Sequence, residues 1–329
     1  MKRIFCALLA LALLLGSAAF ADAAFPVTLT DAAGREVTLE KQPERIVSGY
    51  YISSSLLIAL GVKDRLVGIE DKAAKRDIYA LSAPELIALP SVGSAKQPDV
   101  ETMISLKPDL VILPKKLKDV AATLEELSIP VLLVNPEDGA KLRDTVRLLS
   151  AATGADGAEL LGEMDRLEAK AVSLTEGGEK PSVYLAGNSE MLSTAGSGMY
   201  QNTLLTLAGG RNAAAEITDG AWASVSYEQL LAWDPEIIIV AADAAYTVDD
   251  VLNDPMLSPV RAVKTGRVYA LPKSPEAWDS PVPGTLLGSL WIVSRLYPDL
   301  YAGADFLEDA KAFYSRFFGF ELTEDILNR

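Results

Sequence analysis

The sequence predicts an α/β protein of two Rossmann-like lobes with parallel sheets, bridged by a single long α-helix. Three observations predict it. Apolar, strand-like runs alternate with helical patterns along most of the chain, which is the grammar of parallel sheets joined by helical crossovers. One phrase occurs twice, as ETMISLKPDLVIL from Glu101 and EQLLAWDPEIIIV from Glu228. Each copy sets a Glu seven residues ahead of a Pro, then an acidic residue and a buried-type strand. Between the copies, Ala155 to Glu176 repeats one apolar face through Leu160, Met164, Leu167, Ala171 and Leu174, the spacing of a helix. Matching phrases on both sides of a central helix predict two similar lobes.

Taken in order, the chain opens on a targeting signal. Lys2 and Arg3 precede an apolar run from Ile4 to Leu15, too short to span a bilayer, and small-x-small cleavage sites follow at residues 19–23. Residues 1–23 are therefore expected to be removed on export. Cys6, the single cysteine, lies inside that signal, in the wrong context for a lipoprotein cysteine. The N-terminal lobe is expected over 24–153. It starts with a small hairpin around Ala33 and Gly34 and continues through the strands RIVS, LVGIE, DLVIL and PVLLVN. The linking helix occupies 154–178, with Gly154 before it and Gly177, Gly178 and Pro181 stopping it. The C-terminal lobe, 179–329, repeats the alternation through SVYLAG, QNTLLTLAGG, PEIIIVAA, RVYALP and GTLLGSLWIVSRLY.

Composition narrows the function. At 50% hydrophobic and 23% charged the chain is globular, and 329 residues suffice for two cores. A net charge of -15 argues against nucleic acid and anionic membrane surfaces. There is no histidine, and the expected mature chain has no cysteine. Ser-His-Asp and Cys-His catalysis, thiolate metal sites and the commonest metal ligand are thereby removed. The Gly-rich piece Ala195 to Gly198 lacks the Lys-Ser/Thr of a phosphate loop, and no carboxylate pair stands out among 45 acidic residues.

Ligands of such sheets bind at the carboxyl ends of the strands. Tyr50 and Tyr51 follow the first strand of lobe one, and Tyr200, Trp222 and Trp278 fall in loops or helix starts of lobe two. Each alone is more often packing than ligand contact; together they suggest the walls of a pocket for a large, partly flat ligand. Lys115 and Lys116 follow DLVIL, and Lys273 follows VYAL. Lysines at strand ends of an acidic protein suggest an anionic ligand, with solvated loop charges as the plainer reading.

Five stretches carry a resemblance: DAAGREVTLEKQPERIV, VGSAKQPDVETMISLKPDLVIL, QNTLLTLAGGRNAA, WASVSYEQLLAWDPEIIIV and AWDSPVPGTLLGSLWI. On these the chain resembles the periplasmic substrate-binding proteins of iron-siderophore, haem and cobalamin ABC importers, over essentially all of the mature chain. The resemblance implies a monomeric receptor in the periplasm, with no permanently bound cofactor, that hands its ligand to a membrane permease driven by an ATPase. It implies that Glu101 and Glu228 dock onto permease arginines; a first-turn glutamate favoured by the helix dipole is the simpler reading of each. It further implies a pocket lined from the loops of Tyr50, Tyr51, Lys96, Lys115, Asn188, Trp222 and Trp278. This chain departs from relatives that carry an Arg after the Ser-Pro of the last motif, reading Ser280, Pro281, Val282 and Pro283, and from those with an aromatic at Ala95. The expected ligand is a metal chelate, a ferric siderophore complex first, then cobalamin or haem, with a free metal ion below these for want of His and Cys. The rival classes are a secreted α/β enzyme and a metal-cluster scaffold. A stiff linking helix predicts modest lobe closure.

Overall fold

The computed structural model describes residues 25–329; the expected export signal, with Cys6, lies outside the described residues. A small antiparallel hairpin, β1 (Val27–Thr30) and β2 (Glu36–Leu39), comes first. The Asp31 carboxylate fastens it to the first lobe, accepting from Leu133 N at 3.1 Å and Arg35 Nε at 2.9 Å. The first lobe is an all-parallel sheet in the order β4-β3-β5-β6: β3 (Ile46–Ser48), β4 (Leu66–Ile69), β5 (Leu110–Pro114) and β6 (Val131–Val134). Its strands are apolar on both faces because helices cover both.

The second lobe holds β7 (Ser182–Ala186), β8 (Ser193–Thr194), β9 (Arg211–Asn212), β10 (Ala223–Ser224), β11 (Ile237–Val240) and β12 (Val268–Ala270). Its order is β10-β8-β7-β11-β12, with β9 also on β7. The expected parallel sheet forms through β9, β7, β11 and β12, and β8 and β10 extend it with antiparallel pairs. The chain turns back within a few residues after Ala186, and so short a connection makes a hairpin where a parallel pair needs a long crossover.

The repeated phrase does the same structural work twice. In each copy a short helix (Val100–Ser105, Tyr227–Trp233) starts on a side-chain cap, Asp99 or Ser226. Each helix is left through a residue at positive φ, Lys107 at 48° and Asp234 at 41°, just before the proline. The acidic residue after each proline then takes the backbone N–H that opens the neighbouring strand. Asp109 Oδ1 accepts from Arg45 N at 2.8 Å, and Glu236 Oε1 from Ser182 N at 3.2 Å.

Between the lobes runs the linking helix Ala158–Thr175, about 27 Å long at 1.5 Å per residue. Leu160, Met164, Leu167 and Ala171 are buried, largely against the helix Thr285–Leu296, each large side chain contributing roughly 1.5–3 kcal/mol. The polar flank is anchored as well. Asp309 accepts from Lys170 Nζ, from an Arg166 Nη at 3.2 Å and from Tyr301 Oη at 2.6 Å. Asp309 belongs to the helix Gly303–Phe318, which also packs on the helix Tyr51–Ala59 of the first lobe. The C-terminal residues thus brace both lobes.

A second brace crosses directly from lobe to lobe. Ser55 Oγ donates to Glu276, whose other oxygen accepts from Tyr314 Oη at 3.3 Å. Glu276 is buried, and burial pushes its carboxyl up to about 7. Asp279, buried close by, is pushed up to about 6. Both acids therefore hold their protons in the folded chain at pH values where the unfolded chain has released them.

Two outcomes follow from these braces. Asp309→Ala should cost about 1–3 kcal/mol in urea unfolding, because two cations and a phenol lose a shared acceptor; an unchanged midpoint would refute the anchoring role. The raised folded-state values of Glu276 and Asp279 make stability fall as pH rises from about 5 to 7.5. For Glu276 alone the loss is at most about 3 kcal/mol, and Glu276→Gln should flatten the slope. Urea midpoints that stay level or rise across that window would contradict the assignment.

Candidate interlobe binding site

The carboxyl ends of both central sheets open toward the space between the lobes. In the first lobe, β3 ends at Ser48 and passes through Gly49 to Tyr50. A Cβ at Gly49 would sit 2.6 Å from a Leu113 methyl, so a larger residue here would have to push that side chain aside. Tyr50 and Tyr51 then pack edge to face, 5.5 Å apart. Behind them Ser54 Oγ donates to Glu70 at 2.6 Å, and Tyr79 Oη donates to the other Glu70 oxygen. Burial raises the Glu70 carboxyl above its ordinary range.

Tyr51, Ser55, Arg76, Tyr79, Glu276 and Ser280 are among the residues around a cavity of about 480 Å³ between the lobes. Lys75, Lys273 and Arg329 also line it, as do Asp77 and Asp243. Arg76 is the residue that decides its chemistry. Its guanidinium lies 4.0 Å over the Tyr51 ring, a cation–π contact. Its Nε is buried without a hydrogen-bond partner, and the nearest Glu70 oxygen stands 3.9 Å away. A guanidinium in a cavity wall suits a ligand with an anionic acceptor group. Burial also lifts the Tyr51 and Tyr50 hydroxyls above the ordinary phenol value. Without a ligand these are phenols, and a metal must displace a proton to bind either.

Two further cavities hold other expected residues. One of about 320 Å³ gathers Tyr50, Pro114, Lys115, Lys116, Asn135 and Glu137 at the ends of β5 and β6. Another, about 830 Å³, lies beside the linking helix and includes Arg143, Glu168, Tyr200 and Thr285.

The residues expected from sequence distribute unevenly over these spaces. Tyr50 and Lys115 share one cavity, Tyr51 lines the interlobe cavity, and Tyr200 lies at the third, its hydroxyl bonded to Thr285. Asn188 and Trp222 stand together at the end of β7, where Gly187 leaves room for the Trp222 ring, which remains 37% exposed. Lys96 is exposed on a turn closed by the Gly93–Pro98 bridge and lines none of the three cavities. Trp278 is corrected outright. It is fully buried, its Nε1 donating to Tyr314 Oη at 2.8 Å and its ring edge-on to Phe306, so it supports the cavity floor without touching its contents. Glu101 and Glu228 are exposed in the first turns of their matching helices, one on each lobe. Arg76, Glu70, Glu276 and Asp279 were not singled out by sequence, because nothing in KAAKRD, GIED or PEAWD marks them among so many charges. Among the described residues, no three His, Cys, Asp or Glu converge to hold a metal ion.

Comparison with known proteins agrees with this architecture. A family model described as periplasmic binding protein matches residues 46–275. The molybdate-binding protein MolA of Haemophilus influenzae is 26% identical, covering 94% of this chain and 95% of its own length. The Fe(3+)-citrate-binding protein YfmC of Bacillus subtilis is 28% identical over 71% of this chain and 75% of its own. A crystal structure of a periplasmic solute binding protein from Veillonella parvula superposes with a TM-score of 0.80 at 29% identity, covering 92% of this chain and 97% of that one. These relatives bind solutes for transport and are not enzymes. No helix among the described residues is long and apolar enough to cross a membrane. The chain belongs to the periplasmic binding protein family, the substrate-binding receptors of ABC importers.

Proposed function

We propose that this receptor captures an anionic metal chelate, a ferric siderophore or ferric carboxylate complex, between its lobes. The observation that carries this reading is the Arg76 guanidinium, stacked on Tyr51 in the wall of the interlobe cavity. Lys115 and Lys116 beside Tyr50 and the exposed Trp222 on the opposite lobe fit a ligand with anionic groups and flat or apolar parts. The likeness to a ferric-citrate-binding protein supports the same class. A second reading, a bare oxyanion held at Arg76, draws on the likeness to a molybdate-binding protein over nearly the whole chain. In both readings Glu101 and Glu228 are the docking carboxylates, set apart by the linking helix and matched to basic groups on a permease.

Titrating the full chain with ferric citrate, a ferric siderophore, haem, cobalamin and molybdate, followed by tryptophan fluorescence, tests the reading. An anionic iron chelate should bind with a Kd of about 1 μM or below, and Arg76→Gln should weaken it by about 10- to 100-fold. Binding of molybdate with no iron chelate bound would transfer the assignment to the oxyanion. For docking, Glu101→Arg combined with Glu228→Arg should abolish uptake through the cognate importer while the ligand Kd stays unchanged. A double variant that loses ligand affinity would contradict the roles given to these glutamates.

A further inference from the structure

A second cationic cavity lies outside the space between the lobes, at the free edge of the second sheet. It measures about 570 Å³ and is formed by edge strand β12, the helix Thr285–Leu296 and the last residues of the chain. Three cations, Lys273, Arg295 and Arg329, line it together with apolar walls, and no carboxylate side chain does. That is an unusual lining in a chain of net charge -15.

Arg295 is its central group. The guanidinium is held between two rings, 4.9 Å from Trp291 and 5.8 Å from Tyr269. Its Nε is buried with no hydrogen-bond partner, and burial lowers its hold on its proton with no carboxylate acting on it. Glu324 lines an adjoining cavity of about 170 Å³ with Arg295, and the two form no ion pair. An arginine that only covers apolar surface keeps its head in water. This one lies between two rings at the cavity wall, with its Nε sealed away from water.

We propose that this cavity is a second binding site, for a small organic carboxylate whose carboxylate pairs with Arg295 and whose body lies on Tyr269, Leu271 and Leu327. Planar guanidinium matches carboxylate geometry, and Arg295 lines the cavity without an ion pair of its own. Lys273 and Arg329 line both this cavity and the interlobe one, so the two sites share a wall of positive charge. The site is independent of what the interlobe cavity carries.

Benzoate is a direct probe, titrated into the full chain by calorimetry and by the fluorescence of Trp291, which forms part of the wall. Saturable binding is expected, weakened at least about tenfold by Arg295→Gln and changed less than about twofold by Arg76→Gln. Arg76→Gln separates this site from the interlobe reading, since it should weaken chelate binding and leave benzoate binding in place. Should Arg295→Gln not fold, Arg295→Lys keeps the charge but loses the fork and should also weaken benzoate. No saturable binding to the wild-type chain, or full affinity in the Arg295 variants, would overturn the proposal. Inorganic phosphate binding as tightly as benzoate would overturn its carboxylate class.

Discussion

The geometry of the interlobe space depends on how the helix Ala158–Thr175 is held. A bare connecting helix would be a lever free to rock. Here its apolar stripe is buried on the helix Thr285–Leu296, and its polar flank is tied through Lys170 and Arg166 to Asp309. Asp309 lies on a helix that itself touches the first lobe. Opening the lobes therefore works against buried leucines and a shared carboxylate at once. The direct contact from Ser55 to Glu276 lies within this frame; without the frame, that hydroxyl and carboxyl would have no fixed separation.

Burial does two opposite things to charge at the site, and the combination favours an anion. It raises the carboxyls of Glu70 and Glu276 above their ordinary range, which draws both toward the uncharged form. Arg76 supplies the positive charge beside them. The wall carries acids that are reluctant to ionise beside a cation that must stay ionised.

Much of the fold was legible because it is written in local patterns. The twofold phrase around Glu101 and Glu228, the stripe from Leu160 to Ala171 and the apolar strands each report a backbone state within a dozen residues. The antiparallel strands β8 and β10 were not legible, since two-residue strands carry no periodicity. Of the site, the tyrosines after β3 could be found by position at a strand end. Arg76 could not, because its significance comes from a missing partner, and a missing partner is a property of the folded neighbourhood.

Trp278 shows why strand-end position alone misleads. It stands in the loop after β12, as Tyr50 stands in the loop after β3, yet one ring is buried and the other borders a cavity. The difference lies across from it. Gly284 and Gly288, four residues apart around the start of the helix Thr285–Leu296, leave a groove where an added methyl would meet Trp278 at 3.3 Å and 2.8 Å. The indole drops into that groove, and its N–H finds Tyr314, which satisfies its one polar atom. Tyr50 faces no such groove, so its ring stays near the surface. A pair of glycines on the following helix is thus the sequence feature that distinguishes a buried aromatic from a lining one, and it acts through the partner surface.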